Sequence, residues 1–218
     1  MEAEREALVE RLLSFGHIKT ETVKNAMLKV NREEFIPPEN RKYAYIDQPL
    51  PIGEGQTISA PHMVAIICET LTLEPGMKIL EIGAGFGYNA AVVAEIIGPE
   101  GHLFTTERIE SLASIAEDNL KRTGYDKCVT VLHRDGTKGY IDQAPYDRIY
   151  ATASAPQVPE PLKEQLKIGG RLLIPVGSIK HFQELICIVR VDENRFETHK
   201  MGGVAFVPMI GEHGWPEK

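Results

Sequence analysis

The hydrophobic positions follow two rhythms, and their alternation outlines the fold. Leu8, Leu12 and Phe15 recur at helical spacing across Glu2 to Phe15, and Gly16 ends that run. Thr20 is placed to cap a second helix whose inner face is Val23, Ala26 or Met27, and Val30. Residues 31–60 show no period and carry Pro37, Pro38, Pro49 and Pro51, so they read as one long loop, which in a compact domain is usually functional. Pro61 then suits the first turn of a helix running to about Leu71. Beyond it short apolar runs alternate with helical stretches. Strands are expected at 78–82, 102–106, 129–132, 146–152 and 171–176. Helices are expected at 89–97, from Ile109 to near Gly124, and from Pro159 to Leu166, with Gly169-Gly170 turning into the last strand. Residues 184–191 and 195–201, joined by Asp192-Glu193-Asn194, read as a terminal hairpin. The pattern predicts an α/β protein: a Rossmann-like sheet with helices on both faces, a helical addition over residues 1–60, a main domain over 61–218 and a C-terminal β-hairpin.

The chemistry concentrates after the first of the buried strands. Lys78-Ile79-Leu80-Glu81-Ile82 runs into Gly83-Ala84-Gly85-Phe86-Gly87 and then into a helix. A glycine turn between strand and helix brings backbone N–H groups to a ligand near the positive end of the helix dipole. Glu107 follows at the end of the second strand, where an acid accepts hydrogen bonds from both ribose hydroxyls of a nucleoside. A dinucleotide site prefers G-x-G-x-x-G. Here the spacing is Glu81-x-Gly83-x-Gly85-x-Gly87, the form of the S-adenosylmethionine loop of class I methyltransferases, and Glu81 suits a cofactor with a cationic amino-acid end. The alternative is a glycine-rich turn without a ligand.

Composition narrows the partners. The chain has 218 residues, enough for one large α/β domain with a small addition, with 43% hydrophobic and 25% charged positions. A net charge of −7 argues against broad electrostatic binding of nucleic acid. No apolar run reaches membrane-spanning length, and the first residues, MEAEREALVERL, are charged throughout. Cys68, Cys128 and Cys187 lie far apart in apolar surroundings and fit buried thiols of a reducing cytoplasm. No metal site is expected, and the chain reads as a cytoplasmic monomer.

Gln56, Thr57, Ser59 and His62 crowd around Pro61 in the stretch GQTISAPHM. Two readings stay open: Ser59 caps the following helix with His62 on its surface, or the stretch faces a substrate. GQTISAPHM, then LEIGAGFGYNAA, APYDRIYATASAP, LKIGGRLLIPVG and GGVAFVPMIGEHGW, in this order from about Tyr43 to Trp215, resemble the protein-L-isoaspartate O-methyltransferase family. The QTISAPHM string is the most specific part. Two positions depart from the family pattern. Arg134 stands where the family's Gly-Asp-Gly turn has its first glycine, and Ser154 replaces a small residue.

The resemblance implies a methyl transfer from S-adenosylmethionine to the free α-carboxylate of L-isoaspartyl residues in damaged peptides and proteins, with S-adenosylhomocysteine as the other product. The resulting ester is a better leaving group, so the neighbouring amide closes a succinimide and repair begins. Ser59 is expected to orient the carboxylate, with His62 assisting or shaping the loop, and Thr57 and Ile58 to offer backbone groups to an extended peptide. Glu81, Gly83, Gly85, Gly87, Glu107, Asp135 and Gly136 are the expected cofactor residues. Asp135 is also a natural turn cap. Glu81 is expected to face the methionine end of the cofactor, or else to hold the loop by accepting its N–H groups. The competing classes are a class I methyltransferase for small molecules or RNA, a nicotinamide oxidoreductase, which the glycine spacing disfavours, and a nucleoside sensor, which has no need of Ser59.

Overall fold

The computed structural model describes residues 1–178 and 183–217. Helices α1 (Glu2–Ser14) and α2 (Glu21–Lys29) lead into two 3-10 turns, Arg32–Phe35 and Pro38–Tyr43, and a small hairpin, β1 (Leu50–Gly53) and β2 (Gln56–Ile58). Then follow α3 (Pro61–Leu71), β3 (Lys78–Ile82), α4 (Tyr88–Ile97), β4 (His102–Glu107), α5 (Glu110–Thr123) and β5 (Val129–His133). After β6 (Tyr146–Ala151) and the short α6 (Glu160–Glu164), the chain ends in β7 (Leu166–Val176), β8 (Gln183–Arg190) and β9 (Phe196–Val204). Among the described residues no helix is long and apolar enough to cross a membrane.

The main sheet has the order β5-β4-β3-β6-β7-β8-β9. Its first five strands are parallel and its last two antiparallel. The chain leaves β3 toward β4 on one side and returns to β6 on the other. Such a reversal opens a crevice at the carboxyl ends of the strands, where open α/β sheets bind ligands. Because side chains alternate along a strand, β3 serves two cores at once. Ile79 joins a cluster with Leu8, Leu12, Met27, Leu71 and Ile97, while Leu80 and Ile82 join another with Ile149, Leu162, Leu172 and Ile174. The N-terminal helices thus share one apolar core with α3, α4 and a face of the sheet.

Three expectations need correction. Phe15 is not an inner-face residue: the helix stops at Ser14, and Phe15, its C-terminal cap, is 67% exposed. Strand β7 begins at Leu166 rather than Arg171, and α6 is correspondingly shorter. Leu166 already pairs with Tyr146, and the register shifts between Tyr146 and Arg148 around Gly169 and Gly170. Residues 31–60 are not one loop. Their 3-10 turns and the β1–β2 hairpin are too short and too proline-rich to give a readable period.

Candidate active site

The crevice holds a pocket that spans about 760 Å³ when the solvent-open space at its mouth is included. One wall comes from the glycine turn after β3 and the ends of β4 and β6. Gly83 and Ala84 both donate to the Thr106 carbonyl, at 2.8 and 3.1 Å, which folds the turn back over the sheet. Gly83 has φ +99°, and a Cβ there would run into Thr152 Oγ1. That hydroxyl in turn donates to the carbonyls of Gly83 at 2.7 Å and Ile82 at 3.1 Å. Gly136 is excluded from bearing a side chain for another reason: its Cβ would lie 2.6 Å from Ile82 Cγ2. Only glycine at these two points lets the backbone form the pocket surface.

Glu107 is 7% exposed and lines the pocket. Its two oxygens accept from the N–H of Gly85 at 3.0 Å and of Ile109 at 3.1 Å. Each oxygen keeps a further lone pair. Gly83, Gly85 and Gly136 join it in the lining, together with Thr106, Arg108, Ile109 and Thr152. Gly87 lies just behind, as the N-terminal cap of α4, packed within van der Waals reach of Leu120.

The opposite wall is assembled from segments distant in sequence. Gln56, Thr57, Ile58 and Ser59 form one side, and Val207, Pro208, Met209 and Ile210 form a roof. Ser59 does not cap α3: the cap position is Ala60, whose side chain makes no capping bond, and Pro61 is the first helical residue. His62 stands apart from the pocket lining. Its N–H and its Nδ1 each lie 2.9 Å from Asp47 Oδ1, and its ring lies 5.4 Å from that of His17. It anchors the beginning of α3 to the loop before β1.

Two expected cofactor residues sit elsewhere. Glu81 is fully buried and does not line the pocket. Thr105 Oγ1 donates to its Oε2 at 2.6 Å, and Glu81 pairs in register with Tyr150 on the neighbouring strand. Burial raises its pKa to about 8, against the opposing pull of the Thr105 and Tyr150 hydroxyls. It neither faces the pocket nor accepts the turn's N–H groups. The turn finds its acceptors at Thr106 and Glu107 instead.

Asp135 proves to be a cap and a clasp. Its Oδ1 accepts from Thr137 N at 2.9 Å and Thr137 Oγ1 at 2.7 Å, and its Oδ2 from Glu212 N at 2.9 Å. Partial burial pushes its pKa up, but these bonds outweigh it and hold the carboxyl below its ordinary range. The clasp continues on both sides. Thr137 Oγ1 accepts from His213 N at 3.1 Å, and Trp215 Nε1 donates to the Ser154 carbonyl at 3.1 Å. Ser154 N and Met209 N bond across to Val207 O and Ser154 O, each at 2.8 Å. These contacts lay residues 207–210 over the pocket. Arg134 needs no glycine-like conformation, since its φ is not positive, and its guanidinium lies 4.8 Å over the Tyr140 ring.

Sequence reasoning passed over Thr152, Tyr88 and the roof residues individually. Thr152 lay within the APYDRIYATASAP string and the roof within GGVAFVPMIGEHGW, so the signal was present as strings without assigned roles.

Known proteins share this chain's sequence and fold. Residues 3–214 match the family model for protein-L-isoaspartate(D-aspartate) O-methyltransferase. The chain is 60% identical to the protein-L-isoaspartate O-methyltransferase of Methanothermobacter thermautotrophicus, over 97% of each chain. It is 58% identical to that of Methanopyrus kandleri, over 98% of this chain and 94% of the other. Among solved structures it resembles a Plasmodium falciparum protein described as a protein-L-isoaspartate O-methyltransferase in complex with S-adenosyl-L-homocysteine. The TM-score is 0.85 at 28% identity, covering 94% of this chain and 98% of that one. A second structure, of a protein-L-isoaspartate O-methyltransferase, gives a TM-score of 0.87 at 32% identity, covering 96% of this chain and 67% of the other.

Proposed function

The chain belongs to the protein-L-isoaspartate O-methyltransferase family, and from that premise we propose how its own residues divide the work. The enzyme transfers a methyl group from S-adenosylmethionine to the free α-carboxylate of L-isoaspartyl residues in peptides and proteins. The observation that carries the division of roles is the pocket's two walls, one of rigid backbone around Glu107 and one containing Ser59.

The first wall suits the cofactor. Backbone without side chains at Gly83 and Gly136 leaves a cradle that any Cβ would fill. Glu107 has free lone pairs for ribose hydroxyls, and the roof apolar groups Val207, Met209 and Ile210 exclude water. When bound, S-adenosylmethionine supplies a methyl group on a cationic sulfur, which a carboxylate oxygen takes in line. Asp135 serves this wall indirectly, by fixing the Gly136–Thr137 turn and the roof.

The second wall receives the peptide. The free α-carboxyl of an isoaspartyl residue is ionised at neutral pH, given a reference pKa of about 3.3–3.7, so the chain needs no general base. Its task is orientation and exclusion of water, which can supply about 7–11 kcal/mol at best. Ser59 orients the carboxylate by donating its hydroxyl, a contact without strong opposing charge. Among the described residues strand β2 is paired only with β1, so Thr57 and Ile58 present an edge to an extended peptide. His62 holds the start of α3 through Asp47 and takes no part in the chemistry. The methyl ester formed is then open to attack by the neighbouring amide nitrogen, which closes a succinimide unaided as the C–OCH3 bond breaks and methanol leaves with the amide proton.

The test pairs two peptides and one variant. A normal aspartyl residue holds its carboxylate one methylene further from the main chain, and a misplacement of about 1 Å costs on the order of 100-fold in rate. The parent is expected to turn over the isoaspartyl peptide and not its aspartyl twin. Ser59→Ala should lower kcat on the isoaspartyl peptide by roughly 10- to 100-fold, with the affinity for S-adenosylhomocysteine in calorimetry unchanged. Equal turnover of the two peptides by the parent would refute the substrate assignment. Parent-like kinetics in Ser59→Ala would remove the serine from the site.

A further inference from the structure

Arg32 is the largest side chain that the structure buries completely. Lys and Arg are almost never fully buried without a partner, and this guanidinium has no carboxylate within ion-pair distance among the described residues. Its partners are two backbone carbonyls. Nε donates to Ala44 O at 3.0 Å and Nη2 to Ser59 O at 2.8 Å. Its Cζ lies over the ring of Tyr88, a residue of the pocket lining, 4.8 Å from the ring centroid. Nη1 is buried without a partner. A charge taken this far out of water is costly to the fold, and what it holds is the carbonyl of the residue that faces the substrate.

We infer that Arg32 is a positioning residue of the transfer reaction: it chelates the carbonyls of Ala44 and Ser59 against the Tyr88 ring and so fixes the Ser59 hydroxyl. This rests on the reading of Ser59 given above. Three regions meet at the one guanidinium: the 3-10 turn that carries it, the segment entering β1, and the segment between β2 and α3. No other side chain is hydrogen-bonded to the Ser59 backbone among the described residues. The planar fork matters as much as the charge. A lysine at this depth is a point donor, able to serve one carbonyl well but unable to bridge two while stacking on a ring.

Two variants test it. Arg32→Lys keeps the charge and removes the fork. Lactic acid in place of Ala60 converts the Ser59–Ala60 amide to an ester, which weakens the Ser59 carbonyl as an acceptor and leaves Arg32 and every other side chain intact. For each, kcat and KM on an isoaspartyl peptide are measured beside S-adenosylhomocysteine affinity by calorimetry and the carbonyl ¹³C shift of Ser59. The expected result is a fall in kcat of roughly 10- to 100-fold for Arg32→Lys, and about 3- to 10-fold for the ester. Cofactor affinity should hold within about threefold, and the Ser59 carbonyl shift should move in both. Parent-like kcat in the ester, or a loss of cofactor affinity that parallels the loss of kcat in either variant, would overturn the inference. The ester result stands alone if Arg32→Lys does not fold. A parent without activity on isoaspartyl peptide would defeat the substrate assignment instead, and the carbonyl shift would still report whether Arg32 holds Ser59.

Discussion

The two walls of the pocket are built by opposite means. The cofactor wall is a continuous stretch, Gly83 to Gly87, braced by its own neighbours on the sheet: Thr106, Glu107 and Thr152. The wall assigned to the substrate and the roof come from segments some 150 residues apart, Gln56–Ser59 and Val207–Ile210, held by ties reaching from elsewhere. Arg32 holds the first at the Ser59 carbonyl, with Asp47 fixing His62 just beyond it; the Ser154 backbone holds the second, with Asp135 and Thr137 fixing Glu212 and His213 just beyond it. Where geometry is set by backbone close to the sheet, one glycine is irreplaceable. Where it is set by long-range ties, each tie carries a share and its loss loosens the site by degrees.

The sharpest way to break the contrast is at Gly83. An alanine there adopts a strained φ and its methyl group strikes Thr152 Oγ1, which cannot turn away without abandoning two carbonyls. Gly83→Ala should lose about 3–4 kcal/mol of stability and cofactor binding together, seen in denaturant melts and calorimetry. Retained cofactor affinity would mean the cofactor wall is softer than its geometry implies.

Next in size is a pH effect beneath the same wall. Burial raises the pKa of Glu81 from 4.5 to about 8, against the pull of Thr105. Between these values the native protein keeps a proton that the unfolded chain sheds. The stability this group contributes is therefore fully present below about pH 4.5 and is lost as pH rises through 8. Glu81→Gln mimics the protonated acid and has no proton to lose. Relative to the parent it should gain on the order of 2–4 kcal/mol between pH 5 and pH 9, read from denaturant midpoints at each pH. A difference independent of pH would show that the carboxyl is solvated in the native state.

The smallest expected effect lies on the other side of the pocket. Asp135→Ala releases the N–H groups of Thr137 and Glu212, and should cost about 1–3 kcal/mol. The roof should become susceptible to proteolysis near residues 205–215 while the sheet stays folded. A melt in which roof and sheet remain a single cooperative unit would erase the distinction between the walls.

The same contrast explains what could be read from the chain alone. The alternation of β3, α4, β4, α5 and β5 was legible because buried parallel strands and amphipathic helices each impose a period. The placement of Gly83 and Glu107 at the pocket was legible because it depends on local spacing. Glu81 misled: its place before the glycines suits a cofactor contact, yet strand alternation turns it under the sheet toward Thr105. Asp135 misled differently, because nothing near it in sequence announces Glu212 as a partner. Arg32 and Asp47 left no local signal at all. Their meaning lies in carbonyl and amide groups 12 to 27 residues away, across a stretch whose 3-10 turns hide any rhythm.

One consequence of the clasp is optical. Trp215 is the only tryptophan of the chain, and its indole N–H is spent on the Ser154 carbonyl at the hinge of the roof. Indole emission shifts with hydrogen bonding and hydration, so the native protein carries its own fluorophore at one of the ties that fasten the roof. Loosening of the roof, as in Asp135→Ala, is expected to shift that emission in unlabelled protein, without a reporter grafted onto the pocket.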